Sequence, residues 1–187
     1  MASGFKDWLS PQTAGDLSSY ILTPSAEWDD PNGHGLLAWL NPADSGVITR
    51  VQRIQAYSRV ASNTVAPQAI TLQLYRCAAL GTGADRVAVP AVTTSPAAKL
   101  TAKEMLTVDP AFVTFVTQWV FQLVSRSAAG SDLIGAASQL ATLYEHLADG
   151  RRQPLTLLQG GGMVLALFGG GGDGRTFAMV ELTEEPL

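Results

Sequence analysis

The clearest hydrophobic pattern in the chain is the strict alternation in AITLQLYRC, residues 69–77. Its apolar positions are Ile70, Leu72 and Leu74, and these alternate with Thr71, Gln73 and Tyr75. Alternation with a period of two places one set of side chains on each face of a strand. This segment therefore predicts a half-buried antiparallel strand.

Two other segments also predict strands. In VITRVQRIQAYSRV, residues 47–60, the apolar positions change phase between Val51 and Ile54, which predicts a β-bulge or a bend. In VTFVTQWVFQLV, residues 113–124, β-branched and aromatic residues predict a strand with one strongly apolar side. The segment 79–99 is predicted to be a loop with one short strand, RVAVPAV, which Pro90 confines to a sheet edge.

The stretch from Pro154 to Pro186 predicts three short strands, LTLLQ, MVLALF and RTFAMVELT, separated by glycine runs. We expect the last two strands to pair as the closing hairpin of a sandwich. The glycines at 160–162 and 169–174 would then allow tight loops. Glu184 and Glu185, next to Pro186, are expected to be solvated.

Helical spacing occurs in two places. Thr13 can cap a short helix in AGDLSSYIL, in which Leu17, Tyr20 and Ile21 would share one face. The segment SDLIGAASQLATLYEHLADG, residues 131–150, also has helical spacing between cap-type residues and a final glycine. Its alternative is a loop followed by a strand around ATLYEH, and both remain open.

Residues 1–45 differ from the rest of the chain. Prolines and glycines interrupt them repeatedly, yet they hold three of the four tryptophans. Disordered segments are poor in aromatic residues, so we expect an N-terminal arm that packs either on its own domain or on a neighbouring subunit.

The expected architecture is an arm with a short helix (1–45) and an antiparallel, jelly-roll-like β-sandwich (46–187), mainly β with one or two short helices.

Composition narrows the functional classes. Charged residues make up only 15% of the chain, which favours burial of part of its surface in an assembly. The net charge is −4, and Arg151–Arg152 is the longest basic run, so nucleic-acid binding is not expected. The longest apolar stretch, Phe112–Val124, is too short and too polar to cross a bilayer. The N-terminus lacks the apolar run of a signal peptide, and synthesis in a cytoplasm is expected.

Candidate chemistry is sparse. Gly169, Gly171 and Gly174 match G-x-G-x-x-G, but a β pattern follows where a nucleotide site requires a helix. The two histidines, His34 and His146, belong to no catalytic or metal-binding motif, and the single Cys77 ends a strand. We therefore predict no catalytic residue, no metal and no cofactor. Sugar-stacking rings are an alternative, with Trp39, Tyr57, Tyr75 and Trp119 as candidates, although core or interface positions are expected for them.

Two stretches resemble small β-sandwich proteins of tailed bacteriophages, the head decoration and minor virion structural proteins. The first is VQRIQAYSRVASNTVAPQAITLQLYRCAALGTGADRVAVPAV, with its LYR motif. The second is QPLTLLQGGGMVLALFGGGGDGRTFAMVELTEE, which finishes in Thr183–Glu184. The start, GFKDWLSPQTAGDLSSYIL, is similar to N-terminal peptides of phage structural proteins. The likeness covers about half of the chain, and its motifs are structural.

The resemblance implies assembly without catalysis. Such proteins bind the outside of the capsid, so the expected partners are the major capsid protein and further copies of this chain in a homotrimer. No membrane and no direct nucleic acid contact are implied. Aromatic side chains of the arm would anchor the interface, and the candidates are Phe5, Trp8, Leu17, Tyr20, Trp28 and Trp39. The alternatives are a tail or head-fibre protein that binds a receptor or polysaccharide, and a cellular carbohydrate-binding module.

Overall fold

A computed structural model of the chain describes residues 18–27, 34–60, 68–91, 95–108, 119–125, 140–146, 155–168 and 174–187. These residues form thirteen strands and contain no helix. The strands are β1 (Ser18–Leu22), β2 (Ser25–Glu27), β3 (His34–Leu40), β4 (Val47–Val60), β5 (Gln68–Cys77), β6 (Thr82–Arg86), β7 (Val89–Pro90), β8 (Thr101–Val108), β9 (Trp119–Ser125), β10 (Ala141–Glu145), β11 (Leu155–Leu157), β12 (Gly162–Phe168) and β13 (Gly174–Pro186).

The described strands form two antiparallel sheets. Sheet I has the order β10-β4-β13-β1-β7, with β11 also paired to β4 and β2 to β13. Sheet II has the order β6-β8-β3-β12-β5-β9. The inner faces of both sheets contribute to one hydrophobic core, which includes Val51, Val180, Leu72 and Leu165. The prediction of a mainly β chain with two packed antiparallel sheets is confirmed.

The two most detailed strand predictions are also confirmed. In β5, Ile70, Leu72 and Leu74 are fully buried. In β4, the register against β13 shifts between the pairs Glu181–Arg53 and Leu182–Val51, which leaves Gln52 as the extra residue of a bulge. The bulge explains the change of phase that the sequence shows.

The predicted closing hairpin is wrong. β12 lies in sheet II between β3 and β5, whereas β13 lies in sheet I between β4 and β1. Their burial patterns give the physical reason: β12 is buried at nearly every position, as a strand covered on both faces is, whereas most of β13 alternates. The turn that leads into β12 contains Gly160, whose φ of +77° is a conformation that glycine adopts without a Cβ penalty.

The outer face of sheet II is covered in part by the connection from β5 to β6. The strand order requires this connection to pass β12, β3 and β8. Leu80, within it, packs against Ala38, Cys77 and Val164, a small cluster separate from the main core. This cover explains why an apolar strand such as β12 is buried on both faces.

Both predicted helices are wrong where the structure describes them. Residues 18–22 form β1, which pairs with β13 and β7, and residues 141–145 form β10, which pairs with β4. In β1 the buried residues Tyr20 and Leu22 alternate with half-buried neighbours, as in a strand. Long-range pairing outweighs the local helical spacing, and the alternative strand around ATLYEH is confirmed.

The prediction of an irregular arm is wrong for residues 18–27 and 34–40. They form β1, β2 and β3, and β3 is an interior strand of sheet II with Trp39 fully buried. Strands β6 and β8 lie in segments that the sequence did not identify as strands. Pro90 does lie in an edge strand, β7, as predicted.

Glu184 is buried, which corrects the expectation that it is solvated. The residue is 4% exposed, and its carboxylate accepts hydrogen bonds from the backbone N–H of Lys99 (2.9 and 3.0 Å) and of Leu100 (2.8 Å). Because Glu184 belongs to sheet I and Leu100 directly precedes β8 of sheet II, the carboxylate links the sheets. Charge-assisted bonds of this kind are stronger than neutral ones.

A second polar link joins the sheets at another edge. Arg86 of β6 forms an ion pair with Glu104 of β8 at 3.2 Å. The same guanidinium donates hydrogen bonds to the carbonyl oxygen (2.6 Å) and the hydroxyl (2.9 Å) of Thr23, which follows β1 of sheet I. Polar bridges therefore fix how the two sheets face one another.

We predict that Glu184→Gln lowers the free energy of unfolding by about 1 to 3 kcal/mol, because a neutral amide replaces an acceptor of charge-assisted bonds. Urea titration followed by circular dichroism measures this loss. The matched control is Glu185→Gln, which removes an ion pair with Arg50 at the surface and should cost about 0 to 1 kcal/mol. Equal losses in the two variants would contradict the role of Glu184.

Candidate binding groove

The outer face of sheet I carries an apolar groove. Its floor is formed by outward residues of the two central strands, with side walls from the β1–β2 link and from the residue before β10. Its volume is about 260 Å³, and it is lined by Thr23, Pro24, Gln55, Tyr57, Leu140, Phe177, Ala178 and Met179. Leu140, at one rim, is 57% exposed.

The β4 bulge decides which residues reach this face. Beyond it, Ile54 and Ala56 face the core, so that Gln55 and Tyr57 face outward. Tyr57 lies opposite Phe177 in the register, and the two rings stack with centroids 4.8 Å apart and planes at 10°. The apolar floor is thus a cross-strand pair from distant parts of the chain.

Next to the groove, the same face of sheet I is polar. Arg53 pairs with Glu181, and Arg50 pairs with Glu185 at 3.0 Å. The hydrogen bond to the carboxylate of Glu181 raises the pKa of Arg53 above its ordinary value. Between these pairs, Gln52 donates a hydrogen bond to Thr183 at 2.8 Å. We call these three cross-strand pairs the polar strip.

The dimensions and lining of the groove favour an apolar side chain as its occupant. Pockets for small-molecule ligands usually measure about 300 to 1,000 Å³, so this groove is smaller than most. A sugar-binding platform needs ring faces open to solvent, but Tyr57 and Phe177 cover one face of each other. The geometry therefore suits an anchor residue from a protein better than a sugar ring.

Two of the six predicted interface residues lie in the core. Tyr20 is 1% exposed, and Trp39 is fully buried. The hydroxyl of Tyr20 donates a hydrogen bond to the carbonyl oxygen of Pro96 at 3.0 Å, and burial is the main cause that raises its pKa. Neither ring is available to a partner in this fold. The other four, Phe5, Trp8, Leu17 and Trp28, lie outside the described residues.

The residues that the sequence offered for nucleotide or metal binding form no such site among the residues that the structure describes. Gly174, the last glycine of the G-x-G-x-x-G match, begins strand β13 instead of a helix. Among the residues that the structure describes, no three His, Cys, Asp or Glu side chains converge to hold a metal. The same residues contain no helix long and apolar enough to span a membrane.

Comparison with known proteins adds no relative: no family model, no curated protein and no solved structure matches the chain. The resemblance to phage structural proteins therefore stays a prediction. The fold and the groove are the observations from which function can be argued.

Sequence reasoning missed most of the groove, although one signal was present. In the segment TFAMV of β13, apolar residues occupy both phases of the alternation. One phase, Ala178 and Val180, faces the core, which leaves Phe177 and Met179 on the outer face. A strand that is apolar in both phases indicates an outer face that is either covered by another element of the chain or available to a partner.

We predict that Cys77 does not react with a disulfide reagent such as dithionitrobenzoate until the protein unfolds. Burial raises the pKa of its thiol from 9.0 to about 12, so almost no thiolate exists at neutral pH. A control variant, Cys77→Ala with Ala78→Cys, moves the thiol to an exposed position and should react at once. Fast reaction of native Cys77 would contradict its burial.

The raised pKa of Cys77 also predicts a loss of stability at high pH. The folded state holds the thiol proton more tightly than the unfolded chain, which ionises near pH 9. Stability is therefore unaffected by this group below pH 9 and falls as pH rises from about 9 towards 12. Urea titrations across this range should show a smaller loss for Cys77→Ala than for the natural chain.

Proposed function

We propose that this protein is a non-enzymatic structural protein of a tailed-phage virion. In this proposal a jelly-roll-like sandwich, made in the host cytoplasm, decorates the outside of the capsid. Its partners are the major capsid protein and further copies of the chain in a homotrimer. The resemblance in the segments around LYR and in the closing stretch supports this assignment.

The observation that carries the proposal is the groove itself. It is apolar, it lies on the outer face of sheet I beside charged pairs, and its volume fits one anchoring side chain. Protein interfaces draw most of their energy from a few such anchors in well-packed pockets. A groove of this kind is suited to hold a side chain of the capsid lattice.

Other exposed apolar residues are consistent with several modest contacts. Val87 and Val89 are 79% and 60% exposed at the sheet edge, and Leu158 and Leu187 are 64% and 71% exposed. A contact made through one such residue is weak by itself. A homo-oligomer that engages a repeating lattice gains avidity from making several at once.

We predict that Met179→Asp removes the protein from particles that contain it, because a carboxylate in the groove would have to be desolvated on binding. Electron microscopy and gel quantification of purified particles measure the occupancy. The control is Thr71→Asp, on the outer face of sheet II, which should keep normal occupancy. Circular dichroism establishes that both variants fold.

The outcomes separate the parts of this proposal. Loss of occupancy in Met179→Asp alone would support the groove as the capsid contact. Normal occupancy in both variants would mean that another surface binds the capsid. Absence of the natural protein from the capsid exterior would overturn the virion role.

A further inference from the structure

We propose that one buried water molecule binds between Asn41 and Thr49 and joins the two sheets at the end of the fold where β3 leads into β4. The ligand is water itself, held by an amide oxygen and a hydroxyl. The proposal concerns the interior of the folded protein, so it does not depend on the virion role.

Asn41 reaches from sheet II to sheet I. It directly follows β3 and is fully buried. Its amide NH₂ donates hydrogen bonds to two carbonyl oxygens of sheet I, those of Val47 (2.8 Å) and Leu157 (3.1 Å). These acceptors fix the orientation of the amide, because the reversed orientation would place its oxygen against both carbonyl oxygens. The amide oxygen, Oδ1, therefore points away from them.

Thr49 lies beside this amide. It follows Val47 by two positions on β4, and its register partner on β11 is Leu157, so both acceptors of the Asn41 amide adjoin it. Thr49 is fully buried and shares the phase of Val51 in β4. Its side chain therefore faces the space between the sheets, which is the side from which Asn41 approaches. The amide of Asn41 and the hydroxyl of Thr49 are neighbours.

Both groups are buried without a partner. Among the described residues, neither Oδ1 of Asn41 nor Oγ1 of Thr49 makes a hydrogen bond. Native proteins pair nearly all buried polar groups with protein atoms or with bound water, because an unsatisfied group is costly. An amide oxygen only accepts, whereas a hydroxyl both donates and accepts. A single water molecule satisfies both groups at once.

A third buried group without a partner belongs to the same strand. The indole N–H of Trp39, two positions before Asn41, also makes no hydrogen bond among the described residues. Buried water molecules usually make about three hydrogen bonds, and water can accept as well as donate. The unsatisfied groups of this region thus include both of the kinds that a bound water requires.

A metal cation fits this place less well than water. The carboxylate opposite Thr49 in the register is that of Glu184. Its oxygens already accept hydrogen bonds from the backbone N–H groups of Lys99 and Leu100, which leaves them little capacity to ligate a metal. Asn41 and Thr49 supply only neutral oxygens, and calcium takes about six to eight oxygen ligands.

The direction of a stability change tests the proposal. Thr49→Val replaces the hydroxyl by a methyl group of similar size. If the hydroxyl holds a water that also binds Asn41, the substitution leaves the amide oxygen unsatisfied and lowers the midpoint of urea unfolding. If the hydroxyl is dry, the same substitution removes an unsatisfied buried group and raises the midpoint.

The matched control is Thr176→Val. Thr176 is also fully buried, but its hydroxyl bonds directly to that of Ser58 at 2.9 Å. Its substitution therefore gives the decrease in midpoint expected when a bonded hydroxyl is lost. We expect Thr49→Val to lower the midpoint by a comparable amount.

Oxygen-17 magnetic relaxation dispersion counts the bound water directly, since it detects water molecules that stay longer than the tumbling time of the protein. We expect Thr49→Val to hold one such water fewer than the natural chain, and Thr176→Val to hold the same number.

A lower midpoint together with the loss of one long-lived water supports the proposal. A higher midpoint in Thr49→Val would overturn it, and so would an unchanged number of long-lived waters, whatever the midpoint. Stabilisation of the natural chain by added calcium chloride, absent in Thr49→Val, would assign the site to a cation and overturn the proposal as well.

Discussion

The pairing of β4 with β13 is the constraint on which sheet I depends. The register runs from Gly174 opposite Val60 to Pro186 opposite Val47, and the other strands of sheet I attach to this pair directly or, for β7, through β1. β10 and β11 add to β4, and β1 and β2 add to β13. The bulge at Gln52 sets the phase of everything beyond it. Without it, Tyr57 would face the core and the groove would lose half of its floor.

The relation between the two sheets depends on polar links as well as on the apolar core. Apolar packing is non-directional and tolerates small sliding of one sheet over the other. Glu184 and Arg86 add directional bonds from one sheet to the other at two separate places. Burying the carboxylate of Glu184 costs desolvation free energy, which its backbone donors offset. These links therefore fix the placement of one sheet relative to the other.

Local pattern predicted several of the strands but not their partners. The alternation in β5 and the change of phase in β4 depend on nearest neighbours along the chain, and both predictions hold. The supposed hairpin failed because adjacency in sequence does not reveal that β12 is buried on both faces and β13 is not. The two helices failed because β13 and β4 impose pairing on segments whose local spacing is ambiguous. For the same reason the groove could not be predicted, since Tyr57 and Phe177 meet only through the register.

The groove can provide only one of several contacts to a partner. A volume of about 260 Å³ holds a single side chain, so a contact made through the groove alone buries little surface. Under the proposed capsid role, several copies held on a lattice make several such contacts at once, and their combined avidity exceeds the affinity of each contact. Attachment would then occur where many partner sites are presented together.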